Sequence, residues 1–223
     1  MATNISAIHN CNNVANFPLE KFFQRGSGHG KKILIVGESP AMNGWVKSGR
    51  AFYTVDGRLL PSGRNLNILL KSLDLSVDSC GFTELVKCVI GKERKLISEC
   101  GKKCWPIFVS QLEADNFKLI ITLGLETLKV FNQLLESNLE VGRLTNIQIG
   151  EKKYLVLPLF HPSPISPYNH RRNLQIMRSI LEDLKRKTAH KNSLDQSIQI
   201  MDSLLDHIDT SKLASANDQL KNI

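Results

Sequence analysis

Glu38 and His161 draw attention first, because each sits where a short apolar run ends and a loop stiffened by proline begins. Glu38 lies in Gly37-Glu38-Ser39-Pro40-Ala41, directly after the apolar residues 33–36. His161 lies in Phe160-His161-Pro162-Ser163-Pro164-Ile165-Ser166-Pro167, at the end of the apolar run 154–160. A carboxylate in such a loop can support a developing cation, and a histidine can donate a hydrogen bond to a developing anion. Three prolines in one short loop fix its shape and deny it helix or ladder continuation. Taken singly, each residue has a plain alternative: a solvated loop glutamate and a structural histidine. Their joint placement, one after the first strand and one after the last, favours chemistry. Between them, Ser48-Gly49-Arg50-Ala51-Phe52-Tyr53 carries an aromatic pair. Phe52 reads there either as core or as a stacking surface.

The elements that must position these residues follow from hydrophobic spacing. Residues 33–36, 82–89, 119–123 and 154–160 are short runs rich in Ile, Val and Leu, as strands buried on both faces are. Between and after them lie stripes at helical spacing: Leu66, Leu69, Leu70 and Leu73; Ile107, Phe108 and Leu112; Leu125, Leu128, Phe131, Leu134 and Leu135; Leu174, Met177, Ile180, Leu181 and Leu184. Alternation of strand and helix predicts a three-layer α/β/α domain around a central, mostly parallel four-stranded sheet, with the ligand site at the carboxyl ends of the strands. Residues 138–153 alternate weakly and read as a hairpin or an irregular connection. The expected organisation is an N-terminal extension (1–30), one α/β domain (31–188) and a C-terminal amphipathic helix and tail (189–223), whose stripe includes Leu194, Ile198, Met201 and Leu205.

Composition narrows the function classes. The chain has 223 residues, and 29 Lys and Arg against 21 Asp and Glu leave a net charge of +8, a mild lean toward polyanionic partners. No apolar run approaches the roughly 18 residues of a membrane helix, and the first residues lack a secretion signal. The expectation is a monomer without a membrane partner, cytoplasmic or nuclear. Five cysteines, an odd number, suit reduced thiols or metal ligands better than a disulfide framework.

Six pieces in order, GESPA, GRAF, GRLL, TELVKC, ITLG and HPSPIS, make residues 31–186 resemble the uracil-DNA glycosylase superfamily, most of all its iron–sulfur branch. The resemblance implies that fold and a monofunctional hydrolase for uracil or a related deaminated or damaged base in DNA, leaving an abasic site. A binding protein of the same fold that has lost activity is the alternative. Cleaving the bond between base and sugar develops a cationic sugar and an anionic base. Glu38 is therefore implied as support for the sugar and for the attacking water, and His161 as donor to the base carbonyl. Phe52 is implied to stack on the flipped base, unreachable inside the duplex. Gly37, Ser39, Pro40, Glu84 and Ser163 complete the implied substrate site, and Arg64, His170, Arg171 and Arg172 the implied DNA contacts. Arg50 and Arg58 fall on the same loops, whereas Lys185, Lys187 and Lys191 lie outside them.

The chain departs from the branch at three points. Glu84 stands where the branch reads the base with asparagine. An ionised glutamate accepts hydrogen bonds but cannot donate, so Glu84 is a second catalytic carboxylate, an acid kept protonated by burial, or the partner of a cation such as Lys87. The implied four-iron–four-sulfur cluster, or a zinc in its place, would use Cys88, Cys104, Cys11 and one of Cys80, Cys100 or His9, because Ile8 replaces a ligand. The same cysteines read equally well as small buried hydrophobes, and the chemistry itself requires no cofactor. Finally, Pro61-Ser62-Gly63-Arg64 reads as an inserted helix start capped by Ser62, and Asp56 competes with Glu38 as the catalytic carboxylate.

Overall fold

A computed structural model describes residues 31–189 apart from 74 and 92. The expected N-terminal extension, the C-terminal stripe from Leu194, Cys11 and His9 lie outside the described residues. The chain divides into two compact units. One combines the segment up to Leu60 with Cys80–His161, and the other combines Pro61–Ser79 with the segment from Pro162 onward.

The first unit is an α/β sheet structure. Strands β1 (Ile33–Gly37), β2 (Gly81–Glu84), β3 (Leu119–Leu123), β4 (Thr145–Ile149) and β5 (Lys152–Leu159) form one sheet in the order β2-β1-β3-β5-β4. The first four in that order are parallel, and β4 runs antiparallel on β5. The mostly parallel α/β class is as expected, with five strands instead of four. The extra one is the edge strand of a hairpin, which resolves the reading of residues 138–153. The run 82–89 yields a strand only as far as Glu84. Leu85, Val86 and Cys88 are buried without further strand pairing, apart from two hydrogen bonds, Leu85 N–H to the Gly37 carbonyl and Val86 N–H to the Glu38 carbonyl.

Helices α2 (Leu96–Glu113) and α3 (Leu125–Leu134) cover one face of this sheet. Leu34 and Val36 of β1, Ile120 of β3 and Tyr154 and Val156 of β5 pack there against Phe108, Leu112, Val130 and Phe131. Trp105, Phe108 and Phe131 form a triangle of rings with centroids 5.0 to 5.4 Å apart. The alternate residues, Ile33, Ile35, Ile121 and Leu157, are buried as well. Burial on both faces is why these strands lack polar alternation and read as continuous apolar runs.

In the second unit α1 (Pro61–Lys71) packs against α4 (Pro167–Ala189). Their apolar stripes, Leu66, Leu69 and Leu70 on one and Leu174, Met177 and Leu181 on the other, are buried. Pro61 is itself the first helical residue, where a missing N–H costs nothing. Ser62 therefore lies inside the first turn rather than at the cap expected of it. Asn65 Nδ2 donates to the Pro162 carbonyl at 3.1 Å and ties the start of the Pro-rich loop to α1.

Removing the central ring of the aromatic triangle, Phe108→Ala, should lower unfolding free energy by about 3–5 kcal/mol, read as an earlier urea midpoint.

Candidate active site

Parallel strands deliver their carboxyl ends to one edge. From β1 the chain moves out to β2 and then returns past β1 to β3. The order therefore reverses between β1 and β3, and a crevice opens at such a switch point. Glu38 follows β1 there, and Gly124 follows β3. Gly124 has φ of 96°, and a Cβ on it would collide with Glu38 Oε1. Only glycine combines that backbone with that approach. Its N–H bonds the Leu159 carbonyl at 2.9 Å, joining the ends of β3 and β5 just before His161.

Glu38 is half-buried, and its Oε1 accepts from Arg94 Nη2 at 2.9 Å. Burial holds the half-buried His161 imidazole below its ordinary value, while the Glu38 charge opposes that shift and the Arg94 charge adds to it. At neutral pH His161 is thus an uncharged donor acted on by both groups. Ser39 continues the bend begun at Glu38, and Pro40 follows it.

Glu84 comes to the same edge because the β1–β2 register sets it opposite Gly37. Trp45 Nε1 donates to Glu84 Oε1 at 2.8 Å, and a Cβ on Gly37 would collide with Oε2. Burial pushes this carboxyl up to about 8, and Glu38 adds to the rise against Trp45 and Lys87. Of the three sequence readings, pairing to Lys87 is not what forms. The buried Lys87 ammonium donates instead to Thr83 Oγ1 at 2.6 Å, Gln111 Oε1 at 2.7 Å and the Glu84 backbone carbonyl at 2.5 Å. Burial lowers Lys87 to about 7.

Phe52 is half-buried, and its ring meets Phe82 edge-on at 5.3 Å within a cluster that includes Trp45. It thus serves as both core and surface. Its φ of 64° is rare for an aromatic residue, a form of strain that concentrates at functional sites. Asp56, by contrast, sits exposed in a turn, bonded to Thr54 and Arg58.

The remaining expected residues belong to the second unit. Arg64 is exposed in the first turn of α1, and Arg171 and Arg172 are exposed early in α4. Ser163 Oγ accepts from the Ile165 N–H at 3.3 Å. His170 is half-buried, and burial lowers its pKa, so it adds little to the cationic character of its neighbours.

The described cysteines do not by themselves assemble a cluster site. Cys88 and Cys100 pack among Val86, Ile90 and Ile97. Cys104 Sγ accepts the Lys87 N–H at 3.4 Å, and burial pushes the Cys80 thiol up to about 12. Among the described residues no three His, Cys, Asp or Glu side chains converge as metal ligands.

Sequence reasoning missed Trp45 and Arg94, which join Glu84 and Glu38 from 39 and 56 residues away and carry no local signal. Ile165, 91% exposed on the Pro-rich loop, was missed as well, although an apolar residue among prolines was there to read.

The carboxyl ends of this sheet gather Glu38, Glu84 and His161, with Phe52 joined to them through Phe82. Residues 23–185 match the family model described as the uracil DNA glycosylase superfamily. Over 164 residues, 71% of this chain and 69% of the relative, the sequence is 29% identical to the type-4 uracil-DNA glycosylase of Sulfurisphaera tokodaii. The chain belongs to the uracil-DNA glycosylase superfamily, and its likeness is to the iron–sulfur branch. Among the described residues no helix is long and apolar enough to cross a membrane.

Gly124→Ala should displace Glu38 and lower kcat/KM on uracil-containing DNA by at least about tenfold. Retention of wild-type activity would show that Glu38 needs no such close approach.

Proposed function

We propose that this protein is a monofunctional DNA glycosylase that hydrolyses the N-glycosidic bond of uracil or a related deaminated base in DNA. The observation that carries the reading is Glu38, held at the switch point against Gly124 at the same edge as the uncharged His161. As the bond from sugar C1′ to the base breaks, its electron pair leaves with the base. The Glu38 carboxylate supports the cationic sugar and takes the proton of the water whose oxygen bonds C1′. The N–H of His161 donates to the base carbonyl that gains charge. Phe52 stacks on the flipped base, the backbone of Ser39 and Pro40 lines the pocket floor, and Gly37 admits the Glu84 carboxyl beside it. The exposed Ile165 is the kind of apolar side chain that DNA-bending proteins insert between base steps. Arg64, Arg171 and Arg172 supply cations for phosphates. No step passes through a cluster or a lysine adduct.

A second reading, a DNA-binding protein of this fold with weak or no activity, draws on the Arg94 ion pair that engages Glu38. The two are separated by incubating the protein with end-labelled oligonucleotides carrying uracil, hypoxanthine or xanthine and cleaving abasic sites with alkali. The glycosylase yields product on at least one of them, and tight binding without product supports the second reading. Glu38→Ala and His161→Ala should each reduce the single-turnover rate by at least about two orders of magnitude. An active Glu38→Ala protein would move the role to Glu84 or Asp56.

Reversing Arg171 and Arg172 to Glu should weaken DNA binding and flatten its dependence on salt, far more than reversing the exposed Lys153. Equal effects would make the +8 charge a diffuse surface property.

A further inference from the structure

Glu84 is the one acidic group at this edge to which the proposed reaction assigns no step. Its two oxygens differ in situation. Oε1 is occupied by the Trp45 indole, whereas Oε2 lies over Gly37 and receives no hydrogen bond among the described residues. Glu84 keeps 7% of its surface exposed. Oε2, its oxygen without a protein donor among the described residues, lies next to Gly37 and on the face of β2 that also carries Phe82 and, through it, Phe52.

The groups acting on Glu84 are Glu38 from the loop after β1, Lys87 from its own segment and Trp45. Arg94 and His161 act on Glu38 in turn, and Cys104 on Lys87. With the Lys87 ammonium committed elsewhere, burial keeps the carboxyl neutral below about 8. Because Oε1 already accepts from an N–H, the proton of the neutral acid belongs on Oε2. Asparagine offers either a donor or an acceptor, whereas this acid, with one end tied, presents a single outward donor.

We propose that Glu84 sets base selectivity by donating from Oε2 to the exocyclic carbonyl of an oxo base, O4 of uracil or O6 of hypoxanthine or xanthine, and by refusing the amino group of cytosine or adenine. This rests on the glycosylase reading. Two donors facing one another leave both unpaired in a buried site, which a polar pocket penalises strongly. As pH rises through about 8 the donor becomes an acceptor, and preference for the carbonyl disappears.

The test compares wild type with Glu84→Gln, whose amide keeps a carbonyl for Trp45 and places an N–H, unable to ionise, where Oε2 stood. On uracil-containing DNA, wild-type kcat/KM should fall by about tenfold between pH 7 and 9, whereas the same ratio in Glu84→Gln should change by less than about twofold. Parallel profiles in the two proteins overturn the proposal, as does a Glu84→Gln protein no more active than Glu84→Leu. The second measurement is binding to strands carrying 2′-fluoro-2′-deoxyuridine or its cytidine counterpart, whose glycosidic bonds resist cleavage. Wild type should prefer the uracil strand at pH 7 and lose that preference by pH 9, and Glu84→Gln should keep it. A preference absent at pH 7, or unchanged at pH 9 in wild type, overturns the proposal. Intact pH-dependent preference with no cleavage of any deaminated base would instead refute the glycosylase reading and leave the selectivity of Glu84 standing.

Discussion

Two carboxyl groups come together at one edge because β1 and β2 run parallel in a register that sets Gly37 opposite Glu84, with Glu38 next in the chain. Burial disfavours the charged form of Glu84, and the Glu38 charge adds to that effect. Much of the local structure answers that constraint. Gly37 makes room for the Glu84 carboxyl, Gly124 makes room for that of Glu38, and Trp45 reaches in to fix one oxygen of Glu84. The outcome is asymmetric: Glu38 stays half-buried against an exposed arginine, whereas Glu84 is buried and shifted toward its neutral form. Carboxyl groups set in such unlike surroundings divide acid and base roles between them.

Lys87 shows how the asymmetry is protected. A buried ammonium near a buried carboxyl ordinarily pairs with it, and the pair would hold Glu84 ionised. Here the Lys87 ammonium donates instead to the Thr83 hydroxyl, the Gln111 amide oxygen and the backbone carbonyl of Glu84 itself. Thr83 also bonds Gln111 at 2.7 Å, closing a small buried ring of polar groups between β2 and α2. Satisfied networks of this kind are rigid. The lysine thus anchors the backbone beneath Glu84, while its charge and the Trp45 hydrogen bond only partly offset the burial that raises the carboxyl.

How much of this could be read in advance depended on whether the cause was local. β1, β3 and β5 were legible because strands buried on both faces become unbroken apolar runs. β4 was not: its burial alternates along Thr145–Ile149, a pattern spread thinly over five polar and apolar residues. β2 was overextended because Leu85, Val86 and Cys88 are apolar for burial alone, and periodicity cannot distinguish that from a strand. Glu38 and His161 were legible because strand ends are conspicuous, and the Phe52 element because it lies among glycines. The environments of the two glutamates were not, since Trp45 and Arg94 arrive from distant segments that only the fold brings in. The same reason left three readings of Glu84 open and only the structure could discriminate among them.

The proposed reaction explains why two carboxyls in opposite states suit this edge. Bond cleavage separates a cationic sugar from an anionic base, so one acid must be ionised and the other must not. Like charges about 4 Å apart at an effective dielectric near 20 repel by about 4 kcal/mol, enough to slow departure of an anion by roughly three orders of magnitude. An ionised Glu84 beside the leaving base would impose a penalty of that kind, and an un-ionised Glu38 would withhold support from the sugar. Uncharged His161 fits the same logic, because it can donate to the base without neutralising the Glu38 carboxylate that acts on it. A single negative charge flanked by two neutral donors is therefore the state in which this edge is complementary to both halves of a separating glycosidic bond.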